Sequence, residues 1–497
     1  MTQSRAEKAV LPTLGLRQVA NQMFSRASGA RLREGNRIRL LKNAAENYPA
    51  WLDAIHSARR TIHIEMYIIH EDEQGRLFAD ALIAKARDGV SVRLLYDWMG
   101  GFRKTSRAFW SRLRAGGVDV RCYNPPRFDS PFGWVSRDHR KMIAVDRSVG
   151  FVTGLCIGQM WVGDAARHLD PWRDTGVEVR GPAVADIEDA FADAWAAAGE
   201  PLLEDVAPLA TDVGHKHLRY AGDAAAGVPM RIVATVPYTA ALFRVDQLVA
   251  ALAQRTLWLT DAYFAGTTPY VQALRAAARD GVDVRILVPG SSDIPVLRPL
   301  SRAGYRPLLE AGVRVFEWNG SMLHAKTAVA DGRWARVGST NLNLASWIGN
   351  RELDAMVEDE AFARDMEAMY LEDLENATEV VLDVRNRVRA PGAPPRRQPV
   401  PASGGSGGRA VAGAMRIGST VSAAVTNRRV LEPVEGHIAF VAGAALGGLA
   451  LVAVYFPRAV AYPLAAIAVW LGTALLLRGV TLLRERSRRR RKGRKDS

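Results

Sequence analysis

The chain has 497 residues, 48% of them hydrophobic, with 66 Lys and Arg against 52 Asp and Glu, a formal charge of +14. That excludes a wholly disordered or collagen-like chain and gives length for two to four domain-sized units. The charge is uneven: nine Arg and no acid between 384 and 430 give +9, and residues 484–497 give +7, so the remaining 1–383 carry −2 and lack the broad basic footprint of a nucleic-acid binder.

In chain order, residues 1–33 form an N-terminal segment with no long apolar run behind its first basic residues, so no signal peptide is expected. The only two cysteines, Cys122 and Cys156, imply no disulfide framework and fit a reducing compartment. Residues 34–203 and 228–383 echo each other. RTIHI (60–64) matches RTLWL (255–259), ARDGVSVRLL (86–95) matches ARDGVDVRIL (278–287), and GVDV (117–120) matches GVRV (312–315). Each copy alternates strand-like apolar runs with helical stretches such as 75–88 and 269–280, the pattern of βαβ units. The expectation is an α/β body of two pseudo-symmetric halves, joined by the polar stretch 204–227.

An Arg/Pro/Gly-rich linker (384–436) follows, and its stretch 390–408 has the composition of a flexible chain. Residues 437–483 hold two uncharged runs, 438–456 and 459–477, separated by Pro457 and Arg458. Each would reach about 28 Å as a helix, near the hydrocarbon thickness of a bilayer. A tight transmembrane hairpin is expected in preference to two buried helices of a soluble domain. Both Arg-rich flanks, Arg428-Arg429 and the tail 484–497, then lie on one side, which the positive-inside rule makes cytoplasmic. The tail is either a topology signal or also a contact for anionic headgroups.

One motif occurs once per half. HRKMIAVD supplies His139, Lys141 and Asp146, and HAKTAVAD supplies His324, Lys326 and Asp331, both of the form HxKxxxxD. Chance predicts about 0.01 occurrences in this composition. Of the 66 basic residues 57 are Arg, yet both motifs use Lys, which suits a site needing a compact ammonium. In an extended segment residues i and i+2 share a face, so each His projects with its Lys. Paired imidazoles suit a nucleophile and a general acid/base, and paired ammoniums suit the non-bridging oxygens of a phosphodiester without a metal.

With these motifs the chain resembles the phospholipase D superfamily, most of all bacterial cardiolipin synthases, over about residues 34–383. REGNRI (33–38), WRDT (172–175), GPAV (181–184), GVRVFE (312–317), GSTNL (338–342) and NRE (350–352) carry the resemblance further. It implies a duplicated phospholipase D-like α/β sandwich followed by the membrane hairpin. It also implies a membrane-anchored phosphatidyltransferase working through a phosphohistidine, with no metal and no cofactor. His139 would attack phosphorus, and His324 would protonate the leaving alcohol and later deprotonate the acceptor. Lys141, Lys326 and Asn341 would hold the phosphoryl oxygens, with Ser339 supporting that loop, and Asp174 and Glu352 would orient the histidines. Asp146 and Asp331 complete the motifs as bracing residues. The implied partners are the membrane and phospholipids such as phosphatidylglycerol, with no nucleic acid. The implied location is the bacterial inner membrane, with the body on the cytoplasmic side.

Two positions depart from the family pattern. Cys156 in TGLCIG stands where Asn is usual, and Gly176 follows WRDT where His is usual. Thiols bond phosphate poorly, so the first half-site is expected to be differently tuned. Phe128, Phe132 and Trp134, ahead of the first motif, are either packed loop aromatics or interfacial anchors. A hydrolytic phospholipase D releasing phosphatidic acid is the alternative function. A phosphodiesterase acting on nucleic acid is the less favoured one, and donor, acceptor and oligomeric state stay open.

Overall fold

The computed structural model describes residues 18–127, 135–167, 169–202, 227–290, 302, 304–382, 388–389 and 433–493. The junction 204–226, the linker stretch 390–408 and the aromatics Phe128, Phe132 and Trp134 lie outside the described residues.

Among the described residues a sixteen-stranded sheet organises the body. The first half supplies β1 (Arg33–Lys42), β2 (Thr61–Met66), β3 (Ser91–Asp97), β4 (Asp119–Tyr123), β5 (Lys141–Val145), β6 (Val149–Thr153) and β7 (Thr175–Arg180). The second supplies β8 (Val228–Thr235), β9 (Thr256–Thr260), β10 (Asp283–Pro289), β11 (Arg314–Trp318), β12 (Thr327–Ala330), β13 (Trp334–Gly338) and β14 (Glu352–Val357), with β15 (Ala377–Leu382) and β16 (Val388–Arg389) beyond. From the β1/β8 junction outward, one side runs β1-β7-β6-β5-β2-β3-β4 and the other β8-β14-β13-β12-β9-β10-β11. The same strand order thus recurs on both sides. In each, three parallel strands (β2-β3-β4 and β9-β10-β11) adjoin an antiparallel set.

Strands β5, β6, β12 and β13 are buried along their whole length. Their near-continuous apolar sequences reflect a sheet covered on both faces. The covering helices are amphipathic in the expected way. They are α1 (Asn43–Ser57), α2 (Glu73–Arg87), α3 (Arg107–Ala115), α4 (Ala183–Ala197), α5 (Ala241–Leu252), α6 (Thr268–Arg279) and α7 (Glu360–Glu375). Helix α2 is capped by Asp72, which accepts from Gly75 N, and buries Phe78, Ala79, Leu82 and Ile83. Helix α7 is capped by Asp359, accepting from Phe362 N at 2.8 Å.

The two halves are locked by reciprocal ion pairs. Arg173, just before β7, grips Asp373 of α7 through two bonds of 2.8 Å, both side chains being 3% exposed. Its counterpart Arg351, just before β14, reaches back to Asp193 of α4 and to the Tyr123 hydroxyl.

Apart from 124–136 the body forms one compact unit, and the C-terminal helices belong to a second. These are α8 (Pro433–Tyr455) and α9 (Pro457–Gly493), with Phe456 alone between them. The expected Pro457-Arg458 connection is therefore corrected: Pro457 opens α9, because a first-turn proline lacks only an N–H that has no helical partner there. Helix α9 continues to Gly493, so the basic stretch from 484 is helical to that point. Among the described residues one segment, Pro457–Leu477, is long and apolar enough to cross a membrane, while α8 has a shorter apolar stretch, Gly443–Tyr455.

Removing one partner of a buried ion pair leaves an uncompensated charge, at about 3–5 kcal/mol. Asp373→Ala should therefore lower the thermal midpoint of the full chain well below that of Arg333→Ala, an exposed pair. Equal midpoints would show that the cross-half pair contributes nothing special.

Candidate active site

Register places each motif at one end of its strand. Lys141 opens β5 and pairs with Met66 at the end of β2, while Asp146 follows the far end of β5. At about 3.3 Å per residue, the motif's Lys and Asp are about 16 Å apart. Asp146 accepts from Arg59, Arg60 and Thr61 N–H groups at 2.7–2.8 Å. Asp331 accepts likewise from Gln254, Arg255 and Thr256 at 2.7–2.9 Å. Both sit in turns at positive φ, +52° and +54°. The structure thus separates these two acids from the histidines and uses them to hold the entries to β2 and β9.

The histidines are held across the halves. His139 Nδ1 lies 2.9 and 3.1 Å from the two Glu352 carboxylate oxygens, and Glu352 opens β14 of the second half. His324 Nδ1 lies 2.7 Å from Asp174 Oδ2, and Asp174 precedes β7 of the first half. Backbone bonds follow the same crossing: His139 N donates to Arg351 O at 2.9 Å and His324 N to Arg173 O at 2.7 Å. Each carboxylate is fixed in turn. Glu352 accepts from Ser339 Oγ at 2.6 Å and Asn350 Nδ2 at 3.2 Å; Asp174 accepts from Trp161 Nε1 at 3.2 Å and Thr175 N at 2.9 Å. With Nδ1–H donated to a carboxylate, each imidazole keeps its Nε2 lone pair for other work.

The lysines lie beside them. Lys141 and Lys326 each donate Nζ to the carbonyl of the histidine two residues earlier, as the i, i+2 spacing requires. Lys141 also sits over the Tyr67 ring at 5.0 Å, and Tyr67 meets His139 edge-on at 4.8 Å. Trp161 and Trp172 pack on His324 at 5.8 and 5.6 Å. Burial lowers the His139 pKa to about 4, with Glu352 opposing and Lys141 and Lys326 reinforcing the shift. Burial likewise lowers His324 to about 3, with Lys326 and Lys141 adding to it and Asp174 opposing. Each histidine therefore also feels the charge of the other half's lysine. Burial also lowers Lys326, to about 8. For Asp174 and Glu352 burial acts upward, but the bonded histidines and nearby lysines outweigh it and hold both carboxyls below the usual range. The assembly can exchange protons through imidazole and hold an oxyanion between ammoniums. Among the described residues no group of three or more His, Cys, Asp or Glu is placed to hold a metal ion.

A cardiolipin synthase, phospholipase D-like domain model matches residues 51–159 and 249–374, the segments carrying the two motifs. Cardiolipin synthase A of Pseudomonas aeruginosa is 34% identical over 363 residues, 71% of this chain and 70% of that protein. The cardiolipin synthase of Alkalihalophilus pseudofirmus is 33% identical over 346 residues, 69% of this chain and 67% of that protein. The chain belongs to the cardiolipin synthase family. It is thus a phospholipase D-type phosphatidyltransferase. The fold agrees with that of phosphatidylserine synthase from Haemophilus influenzae, at a TM-score of 0.56 and 16% identity, covering 72% of this chain and 92% of that one.

Gly176 and Cys156, the two positions expected to depart from the family pattern, sit in tight surroundings. Gly176 leaves no room for a side chain, since a Cβ there would lie 2.2 Å from Asn47 Oδ1 and 2.8 Å from Thr153 Oγ1. Cys156 is fully buried in the core beneath α1, where the Tyr48 hydroxyl donates to its carbonyl at 2.7 Å, and burial pushes its thiol pKa up. At the corresponding place of the second half stands Asn341, 4% exposed, with its Oδ1 buried and unpartnered. Sequence reasoning missed Arg173, Arg351, Trp161 and Asn350. A signal existed for the first two, because an Arg precedes the histidine-binding acid in both halves.

Histidine nitrogen NMR of the native chain at pH 7 should show His139 and His324 neutral and Nδ1-protonated. Glu352→Gln should lower the His139 pKa further, since that carboxylate acts upward against burial. A rise in the variant would contradict the assigned balance of charges.

Proposed function

We propose that this enzyme transfers a phosphatidyl group through a phosphohistidine to an alcohol such as phosphatidylglycerol, making cardiolipin or a related lipid. The observation that supports the proposal is the pair of crossed histidine–carboxylate contacts, each half holding the imidazole of the other half's motif, with a motif lysine beside each histidine. His139 Nε2 forms a bond to phosphorus as the bond to the leaving alcohol oxygen breaks, and His324 gives that oxygen a proton. His324 then takes the proton of the acceptor hydroxyl, whose oxygen bonds phosphorus as the N–P bond breaks. Lys141, Lys326 and the Asn341 amide hold the non-bridging oxygens. Ser339, Asp174 and Glu352 set the poses of these groups. Asp146 and Asp331 act structurally.

The empty site is balanced when both imidazoles are neutral, with two ammoniums against Glu352 and Asp174. An arriving phosphodiester adds one negative charge and raises the proton affinity of the imidazoles, so binding recruits the proton that His324 must donate.

We read the recurrent strand order as an internal duplication of 34–203 and 228–383, joined by 204–227 and preceded by 1–33. The linker 384–436 leads to a transmembrane hairpin (437–483) and a basic tail (484–497). The positive-inside rule then puts the body on the cytoplasmic side of a bacterial cell membrane.

In mixed micelles of phosphatidylglycerol the native chain should form cardiolipin and glycerol. His139→Ala and His324→Ala should each cut the rate by about 10²–10⁴-fold. Unchanged product in either variant would overturn the roles, and phosphatidic acid as the sole product whatever the alcohol would establish hydrolysis instead. Because Lys326 is lowered to about 8, its charge is present below that pH and lost above it. KM should therefore rise above pH 8, and Lys326→Arg should remove that rise.

A further inference from the structure

The Ser339–Asn343 segment, which follows β13 and carries Ser339 and Asn341, rests on a buried ionic cluster that the first half lacks. Asp261 accepts from Leu342 N at 2.8 Å and from Tyr263 N at 3.0 Å. Asp354 accepts from the Thr340 hydroxyl. Arg336, fully buried on β13, donates to Asp246 Oδ1 at 3.0 Å, and the other oxygen of Asp246 takes Trp347 Nε1 at 2.9 Å. All four charged side chains are 4% exposed or less. Arg336 pairs with Asp246 and feels the charges of Asp354 and Asp261, and three carboxyls with one guanidinium are costly to bury, so their placement calls for a reason beyond packing. Burial raises Asp261 and Asp354 to about 7, which relieves part of the excess negative charge.

Comparison of the halves isolates what the cluster does. In the β13/β14 ladder Gly338 lies opposite Asp354, and a Cβ on Gly338 would meet Asp354 Oδ1 at 2.3 Å. In the β6/β7 ladder the equivalent pair is Thr153 opposite Gly176, with the side chain on the other strand. There the Thr153 hydroxyl accepts from Leu155 N at 3.0 Å, a local turn bond in place of a buried carboxylate. Where the second half has Arg336 the first has Phe151, and where it has Asn341 the first has Cys156, both in the apolar core. Charge thus accompanies the amide. The loop that carries Asn341 is fixed at the residues on either side, Thr340 and Leu342, by carboxylates.

We propose that Asp354 and Asp261, beside the buried Arg336–Asp246 pair, are positioning residues that fix the Asn341 side chain so that its amide N–H donates to a phosphoryl oxygen, and that the second half thereby grips the phosphoryl group more firmly than the first. The proposal rests on the phosphoryl-transfer reading of the site. Thr340 is the lever that tests it, because Thr340→Val keeps shape and removes the hydroxyl bound to Asp354.

The probe is inorganic phosphate, with affinity measured by calorimetry on the full chain in detergent, so that inactive variants still report. Thr340→Val should weaken binding about 5–10-fold in the native background, about the worth of one ordinary hydrogen bond. It should change binding less than about 2-fold in an Asn341→Ala background, the non-additivity expected of residues acting as one unit. Thr340→Ser should keep native affinity, which separates positioning from a general loss of fold. Equal weakening in both backgrounds, no weakening by Thr340→Val, or native affinity in Asn341→Ala would overturn the proposal. Absence of phosphate binding by the native chain would instead overturn the phosphoryl-site reading beneath it.

Discussion

The crossing of carboxylates between the halves is the constraint on which the rest of the site depends. His139 has its acid in the second half and His324 has its acid in the first. A half on its own would bury an imidazole without its orienting partner and a carboxylate without its donor, each a costly state in a low-dielectric interior. The backbone bonds of His139 and His324 and the ion pairs of Arg173 and Arg351 repeat the crossing. Catalytic geometry and the stability of the body therefore draw on the same interface.

Within that framework the two half-sites are unequal. Glu352 is steadied by a serine hydroxyl, whereas the equivalent of Ser339 is Gly154, where a Cβ would lie 2.2 Å from Asp174 Oδ1. The shorter Asp174 sits close against its strand and takes the Trp161 indole instead. The side chain at the ladder position before the phosphoryl loop is exchanged between strands, Thr153 with Gly176 against Gly338 with Asp354. The recurrent strand order gives the two motifs equivalent positions, and these substitutions differentiate their surroundings. The proposed double displacement would use that difference, with one imidazole bonding phosphorus while the other carries protons.

Much of this was legible in the chain itself. The His and Lys of each motif share a face because extended residues alternate, and the near-constant spacing of about 195 residues between echoes announced two similar strand orders. The crossing was not legible, because spacing along a chain does not say which half supplies a partner in space. Asp146 and Asp331 belong to the motif by spacing, yet a strand's length carries them to the far turn, where they bind backbone N–H groups. Asp246, Asp261 and Asp354 are scattered in sequence and look like ordinary surface acids until the fold buries all three, Asp246 against Arg336. The helical break at Phe456 was misplaced by one step, because Pro457 reads as a stop but serves as a start.

The most direct test of the central claim is to map the covalent adduct. Enzyme stopped at alkaline pH during turnover of phosphatidylglycerol, digested and examined by mass spectrometry, should carry the phosphatidyl group on His139. The adduct should build up when Asp174→Asn impairs the partner histidine. Turnover with no adduct on either histidine, or with the adduct on His324 alone, would contradict the account.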